Sequence, residues 1–197
     1  MTAVVLASTS ASRAAILRAA GVPFQIEPPR VDEDRAKTEL LARSADPHAI
    51  AGVLAQNKAL EVSGRMPGLV IGADQTLELD GALVDKATDL AQARRGLERL
   101  RGRAHRLHAA VAVACGGSVL WRETACARMH MRPFSDRFLD GYLTREGETI
   151  LPSVGCYRLE GEGVQLFEAI EGDYFAILGL PLLGLLAFLR ERGAITP

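Results

Sequence analysis

Blocks of apolar and polar positions follow one another along this chain with sharply changing periods. Residues 3–7 are an unbroken apolar run, which predicts a buried strand, and residues 11–20 carry an alanine-rich helical pattern closed by Gly21 at C′. A short strand is expected over 23–27, before a Pro-Pro-Arg loop and the acidic stretch "VDEDR". Asp46 and Pro47 read as an N-cap and N1 pair opening a long helix to about Val62. "LVIGADQTLELDGALVDKA" reads as an apolar strand running into a hairpin, with Asp80-Gly81 as a type I′ turn. A charged amphipathic helix follows over 89–101, then strands over 105–114 and 118–131 around Gly116-Gly117. Residues 135–147 read as helix, 154–178 as strands and glycine turns, and 182–192 as the last helix. Strands alternate with helices around a long hairpin, so the expected class is α/β with a mixed, not purely parallel, sheet. No repeat, low-complexity tract or linker divides residues 1–197, which predicts one domain.

Bulk properties narrow the function classes. A net charge of −1 leaves no whole-chain footprint for duplex nucleic acid, so any phosphate must be held by a local cluster. Aromatic residues make up only 5%, which argues against a stacking platform for single strands. Cys115, Cys126 and Cys156 are odd in number and widely spaced, which disfavours disulfides and zinc and suits a reducing cytoplasm. The longest apolar segment, "FAILGLPLLGLLAFL", is short and interrupted by Pro181, so no membrane span is expected.

Three stretches collect chemistry. Ser8, Thr9, Ser10 and Ser12 lie between the first strand and first helix, with Arg13 just inside the helix. Capping needs one hydroxyl; four, plus an arginine, suit an anion held by hydroxyls, backbone N–H groups and one cation. In the hairpin, the two-residue turn sets Leu79 opposite Ala82, Leu77 opposite Val84 and Gln75 opposite Lys86, returning Lys86 to the neighbourhood of Asp74. Asp74 ends the apolar run 70–73, and strand ends are where open α/β sheets place ligand chemistry. On the long helix, Asn57, Lys58 and Glu61 fall inside the apolar arc of Ile50, Val53, Leu54 and Leu60. Polar groups in such an arc need a partner or a cleft; a Lys58–Glu61 pair is one solution and a polar cavity the other.

Asp32, Glu33 and Asp34 read as an acidic patch on a loop. Brought to Asp74, a carboxylate from this patch could hold a hard divalent cation, which prefers oxygen ligands and keeps waters. His105 and His108 fall on opposite faces of a strand and make a poor metal pair. There is no nucleophile elbow around the serines, no P-loop and no dinucleotide-binding glycine pattern after a strand.

"LASTSASR", "VDE", "NKA", "IGADQ", "DK" and "GDYFAILGLPL" follow one another in the order and spacing of Maf proteins, and this resemblance spans essentially the whole chain. It implies a mixed twisted β-sheet flanked by helices, two lobes around a deep cleft, and kinship with inosine triphosphatases. The activity it implies is that of a house-cleaning nucleoside triphosphate pyrophosphatase, using Mg²⁺ or Mn²⁺ to cut between the α and β phosphates. Carried over by position, Ser8, Ser10 and Arg13 match the phosphate-binding opening, Glu33 the acidic residue, Lys58 the helical lysine, Asp74 the base for water, and Lys86 the second lysine. Glu33 and Asp74 are thus the expected metal ligands. A homodimer is also implied.

Departures from the family pattern bear on the base. The usual Ser-Pro-Arg-Arg is Ser10-Ala11-Ser12-Arg13, Lys-Pro is Lys86-Ala87, Ala-Asp-Thr is Ala73-Asp74-Gln75, and Ile-Gln-Gly is Leu159-Glu160-Gly161. Gln75 and Glu160 lean towards the branch acting on 7-methyl-GTP, because a carboxylate suits the N–H donors of a guanine edge; Tyr157 is nearer the dTTP/UTP branch. The competing expectation is a nucleotide-binding regulator of cell division without turnover. A phosphatase releasing inorganic phosphate is disfavoured by the lack of D-x-D-x-T and Cys-x5-Arg motifs.

Overall fold

The computed structural model describes residues 2–196. Strand β1 (Val4–Ala7) is buried throughout and runs through Ser8–Ser10 into α1 (Ala11–Ala19), which Gly21 closes at φ +70°. After β2 (Gln25–Ile26) come α2 (Glu33–Ala42) and α3 (Pro47–Ser63), the second capped by Asp46 with Pro47 at its start. Strands β3 (Leu69–Leu79) and β4 (Ala82–Val84) form the expected hairpin, with Asp80 at φ 54° and Gly81 at φ 81°. Its register, Leu79 with Ala82 and Leu77 with Val84, is the expected one; the ladder ends at Val84, so Gln75 and Lys86 are not paired. Helix α4 (Leu90–Leu100) leads to the long hairpin of β5 (Ala104–Cys115) and β6 (Ser118–Met131), then α5 (Asp136–Glu146). Strand β7 (Phe167–Glu171), the single turn α6 (Tyr174–Ile177) and α7 (Leu182–Glu191) complete the chain.

The seven strands form one sheet in the order β2-β1-β3-β5-β6-β7, with β4 also on β3. β1 is parallel to β2 and β3, and the other pairs are antiparallel, so the α/β class with a mixed sheet is observed. Strand alternation sends even-numbered residues of β3 and β5 to one face. There Ala110, Ala112 and Ala114 meet Ala51, Ala55 and Ala59 of α3. Helix and sheet approach closely because Gly72 has no side chain: a Cβ there would lie 2.3 Å from the Ala55 carbonyl oxygen. The odd-numbered face carries two separate apolar clusters. One joins Ile71, Ala73 and Val111 to α1 and α7; the other joins Leu77, Leu107 and Met129 to α4 and α5.

Two stretches differ from their sequence reading. Residues 33–42 are a helix, not a loop, with Asp32 as N-cap accepting from the Arg35 N–H at 3.0 Å. None of its apolar residues is fully buried, so no strong periodic stripe marks it; the usable signal was Asp32 followed by two acidic residues in a first turn. Residues 154–178 contain only one strand, β7, besides a 3₁₀ turn over Glu162–Leu166 and α6.

Candidate active site

The site arises where β3 changes neighbours. Its edge pairs with β1 up to Gly72 and with β4 from Leu77 onward, leaving Ala73–Thr76 without a strand partner on that side. Asp74 and Gln75 sit in this gap, above the end of β1 and the start of α1. A pocket of about 720 Å³ opens there. It is lined by Ser8, Ser10, Arg13, Glu33, Lys58 and Asp74, and equally by Gln75, Lys86 and Glu160. These nine candidates from the sequence therefore meet in one cavity, whereas Asn57, Glu61, Asp32 and Asp34 do not line it.

Lys58 is the centre of the charged group. Its Nζ lies 2.6 Å from Asp74 Oδ1 and 2.9 Å from Glu33 Oε1, with Lys58 and Asp74 both buried. The sequence alternative of a Lys58–Glu61 pair is not what forms: Glu61 turns to Arg65, whose Nε donates to Oε1 at 2.9 Å. Of the acidic patch, only Glu33 reaches Lys58. Asp32 caps α2, and the Asp34 side chain is 98% exposed.

The opening stretch serves as both cap and polar wall. Ser10 Oγ accepts from the Arg13 N–H at 3.4 Å as N-cap of α1, while Ser8 Oγ accepts from the Ser10 N–H at 3.1 Å and from Arg13 Nη1 at 3.4 Å. Arg13 Nε donates to the Gly179 carbonyl at 2.8 Å. Gly179 has φ +96°, a backbone conformation that favours glycine, and this turn presents its carbonyl to Arg13. Crowding by protein lowers the Arg13 pKa from the ordinary arginine value, while the charges of Asp74 and Glu33 oppose that shift. Lys86, an exposed residue, lines the same pocket. Its pKa too is lowered, first by desolvation and then by the positive charge of Arg13, with Asp74 and Glu33 pulling the other way.

Gln75 makes less of itself available than its place in the pocket suggests. Its amide nitrogen donates to the carbonyls of Ala176 (3.0 Å) and Ile177 (2.9 Å), tying α6 to β3. Only Oε1 remains as a free acceptor. Glu160 also lines the pocket, with Arg158 Nε 3.7 Å from its carboxylate, and the apolar lining comes from Leu107, Val154, Tyr157 and Leu159. Tyr157 and Leu159 stood among the residues compared with the family pattern, but Leu107 and the Gly179 carbonyl were missed in the sequence; Gly179 belongs to "GDYFAILGLPL", whose glycine before Leu-Pro was the available signal. Behind Tyr157, the buried His105 shares a 2.7 Å hydrogen bond with its hydroxyl, and burial holds the imidazole neutral with a pKa of about 4. His105 is thus structural. His108 bonds Glu78 Oε2 at 2.7 Å, away from the pocket lining.

Among the described residues no three His, Cys, Asp or Glu side chains form a ready-made metal cage. Glu33 and Asp74 nevertheless offer carboxylate oxygens directed to one point, the Lys58 ammonium. That donor set is of the hard, all-oxygen kind that suits Mg²⁺, which binds through one or two carboxylates plus waters and substrate phosphates.

A family model described as Maf-like protein matches residues 3–192. The chain is 58% identical over 196 residues to a nucleoside triphosphate pyrophosphatase of Caulobacter vibrioides, covering 100% of this chain and 98% of that protein. It is 50% identical over 192 residues to a 7-methyl-GTP pyrophosphatase of Rhizobium johnstonii, covering 97% and 96%. Among solved structures it is similar to a HAM1 protein from Coxiella burnetii, at 15% identity and a TM-score of 0.45 over 68% of this chain and 75% of that one. With a family model spanning nearly its whole length and a relative at 58% identity end to end, the chain belongs to the Maf-like protein family.

Proposed function

We propose that this single-domain chain hydrolyses the α–β phosphoanhydride of a nucleoside triphosphate, releasing a nucleoside monophosphate and pyrophosphate. The observation that carries the reading is the convergence of Arg13, Lys58 and Lys86 on Asp74 and Glu33 in one pocket, within a chain whose relatives are named as such enzymes. Three cations beside two carboxylates suit a polyphosphate and an attacking water, and little else of this size.

In this reading the triphosphate lies along Ser8–Arg13, with Arg13 and Lys86 on its oxygens. Lys58 holds Asp74 through Oδ1, which orients the carboxylate and leaves Oδ2 to take the proton from the attacking water. The new bond joins the water oxygen to phosphorus, the bridging P–O bond breaks, and its electrons leave with pyrophosphate. Arg13 and Lys86 offset the charge gathering on that leaving group. A divalent cation held by Glu33 and Asp74 would supply further charge neutralisation at the phosphates. The nucleoside lies against Leu107, Val154 and Tyr157, where the Glu160 carboxylate suits the N–H donors of guanine and the positive ring of 7-methylguanine.

The test is product analysis with a panel of standard and modified nucleoside triphosphates, in Mg²⁺ or EDTA. Release of pyrophosphate and monophosphate that needs Mg²⁺, is fastest for 7-methyl-GTP, and is lost in Asp74→Asn is the expected result. Nucleotide binding without turnover across the panel would overturn it in favour of a binding protein.

A further inference from the structure

The segment that delivers Glu33 has little means of holding itself in place. Its last sheet-like bond runs from the Glu27 N–H to the Leu6 carbonyl at 3.1 Å. Pro28 and Pro29 then carry no N–H to donate. The helix that follows, α2, buries no side chain. Apolar packing therefore contributes little to where Glu33 stands.

Polar ties from the end of α3 do. Glu61 Oε2 accepts the Arg30 backbone N–H at 2.9 Å, and Glu61 Oε1 accepts from Arg65 Nε at 2.9 Å. Arg65 Nη2 donates to the Pro28 carbonyl at 2.7 Å, and its Nη1 is paired with Glu27. One arginine fork thus holds a carboxylate on α3 and a carboxylate in the loop, both partly shielded from water, and an exposed loop carbonyl. Multidentate arginine contacts of this kind fix geometry in a way a lone surface pair does not. Lys58, three residues before Glu61 on the same helix, takes Glu33. One helix accordingly grips the loop at both ends.

We propose that Glu61 and Arg65 are positioning residues for Glu33: they fasten residues 27–32 to α3 so that the Glu33 carboxylate is presented to Lys58 and Asp74. The catalytic consequence rests on the pyrophosphatase reading of the pocket; the mechanical claim does not.

The experiment combines amide hydrogen exchange with kinetics on Glu61→Gln and Arg65→Met, each alone and in a Glu33→Gln background. Exchange over residues 30–36 is expected to rise about 10-fold or more while the β3–β5 core is unchanged. The kcat for pyrophosphate release is expected to fall about 10-fold, with KM for the nucleotide nearly constant. In the Glu33→Gln background, Arg65→Met should add no further loss, because the group it positions is gone. Unchanged exchange over 30–36, exchange rising across the whole sheet, or losses that add fully to Glu33→Gln would each overturn the proposal. If the wild-type protein releases no pyrophosphate, the activity reading fails and the exchange data alone decide the clamp.

Discussion

Lys58 Nζ stands 2.6 Å from Asp74 Oδ1, joining the buried face of α3 to the stretch of β3 that has a strand partner on one side only. Both partners are buried, and Lys58 also holds Glu33, so removing the lysine leaves two carboxylates without their shared cation. Lys58→Met is expected to destabilise the fold by about 3 kcal/mol and to cut pyrophosphate release by roughly 100-fold or more. Urea denaturation and a pyrophosphate assay measure the two losses; an unmoved midpoint would show that the pair carries no structural weight. Asp74→Asn, which keeps the side-chain shape, should lose turnover while still folding.

Gly72 sets the distance between the two elements that carry this pair. A Cβ on residue 72 would fall 2.3 Å from the Ala55 oxygen and 2.5 Å from the Ala59 nitrogen, both backbone atoms that cannot turn aside. Gly72→Ala is expected to push α3 off the sheet at a cost of roughly 2–3 kcal/mol. It should also lower kcat, since Lys58 moves with the helix. Thermal denaturation within a degree of wild type would contradict this.

His105 links stability to pH. Its folded pKa of about 4 lies below the ordinary value of 6.5 because burial, aided by His130, disfavours the imidazolium. The unfolded chain therefore binds the proton first, and stability falls as pH drops from about 6.5 towards 4, by up to about 3 kcal/mol. His105→Gln removes the titrating group and should flatten that part of the curve. Denaturation midpoints at pH 4.5, 5.5 and 7 check it: parallel curves for variant and wild type would assign the slope to other groups.

Glu160 and Gln75 were grouped in the sequence as readers of the base, and the structure separates them. Glu160 lines the pocket with Arg158 Nε 3.7 Å from its carboxylate, whereas the Gln75 amide nitrogen is committed to the carbonyls of Ala176 and Ile177. Glu160→Gln is expected to change the ratio of kcat/KM between 7-methyl-GTP and UTP by about 10-fold or more. Gln75→Met should lower kcat/KM for both nucleotides alike, because it loosens α6 and the Gly179 carbonyl that orients Arg13. A change of base preference in the Gln75 variant would reverse these roles.

Much of the architecture was readable from local pattern. Helices α1, α3, α4, α5 and α7 and both hairpins lie within a few residues of their expected bounds, since their apolar periods, caps and Gly turns are properties of neighbouring residues. Helix α2 escaped because polar ties hold it, and a periodicity argument sees only buried stripes.

The list of polar residues for the pocket was legible for the same reason: hydroxyls at a helix start, a lysine in an apolar arc and an aspartate at a strand end are each out of place in a plain core. Partnership was another matter. Lys58 had Glu61 one turn away, yet it bonds Glu33 and Asp74, while Glu61 takes Arg65 and the Arg30 N–H. Gln75 finds its carbonyls 101 and 102 residues further along the chain. Spacing along a strand or helix states which face a side chain occupies. Which charge it meets there depends on how closely the facing element approaches, and here the bare backbone of Gly72 and the missing strand neighbour of residues 73–76 set that approach.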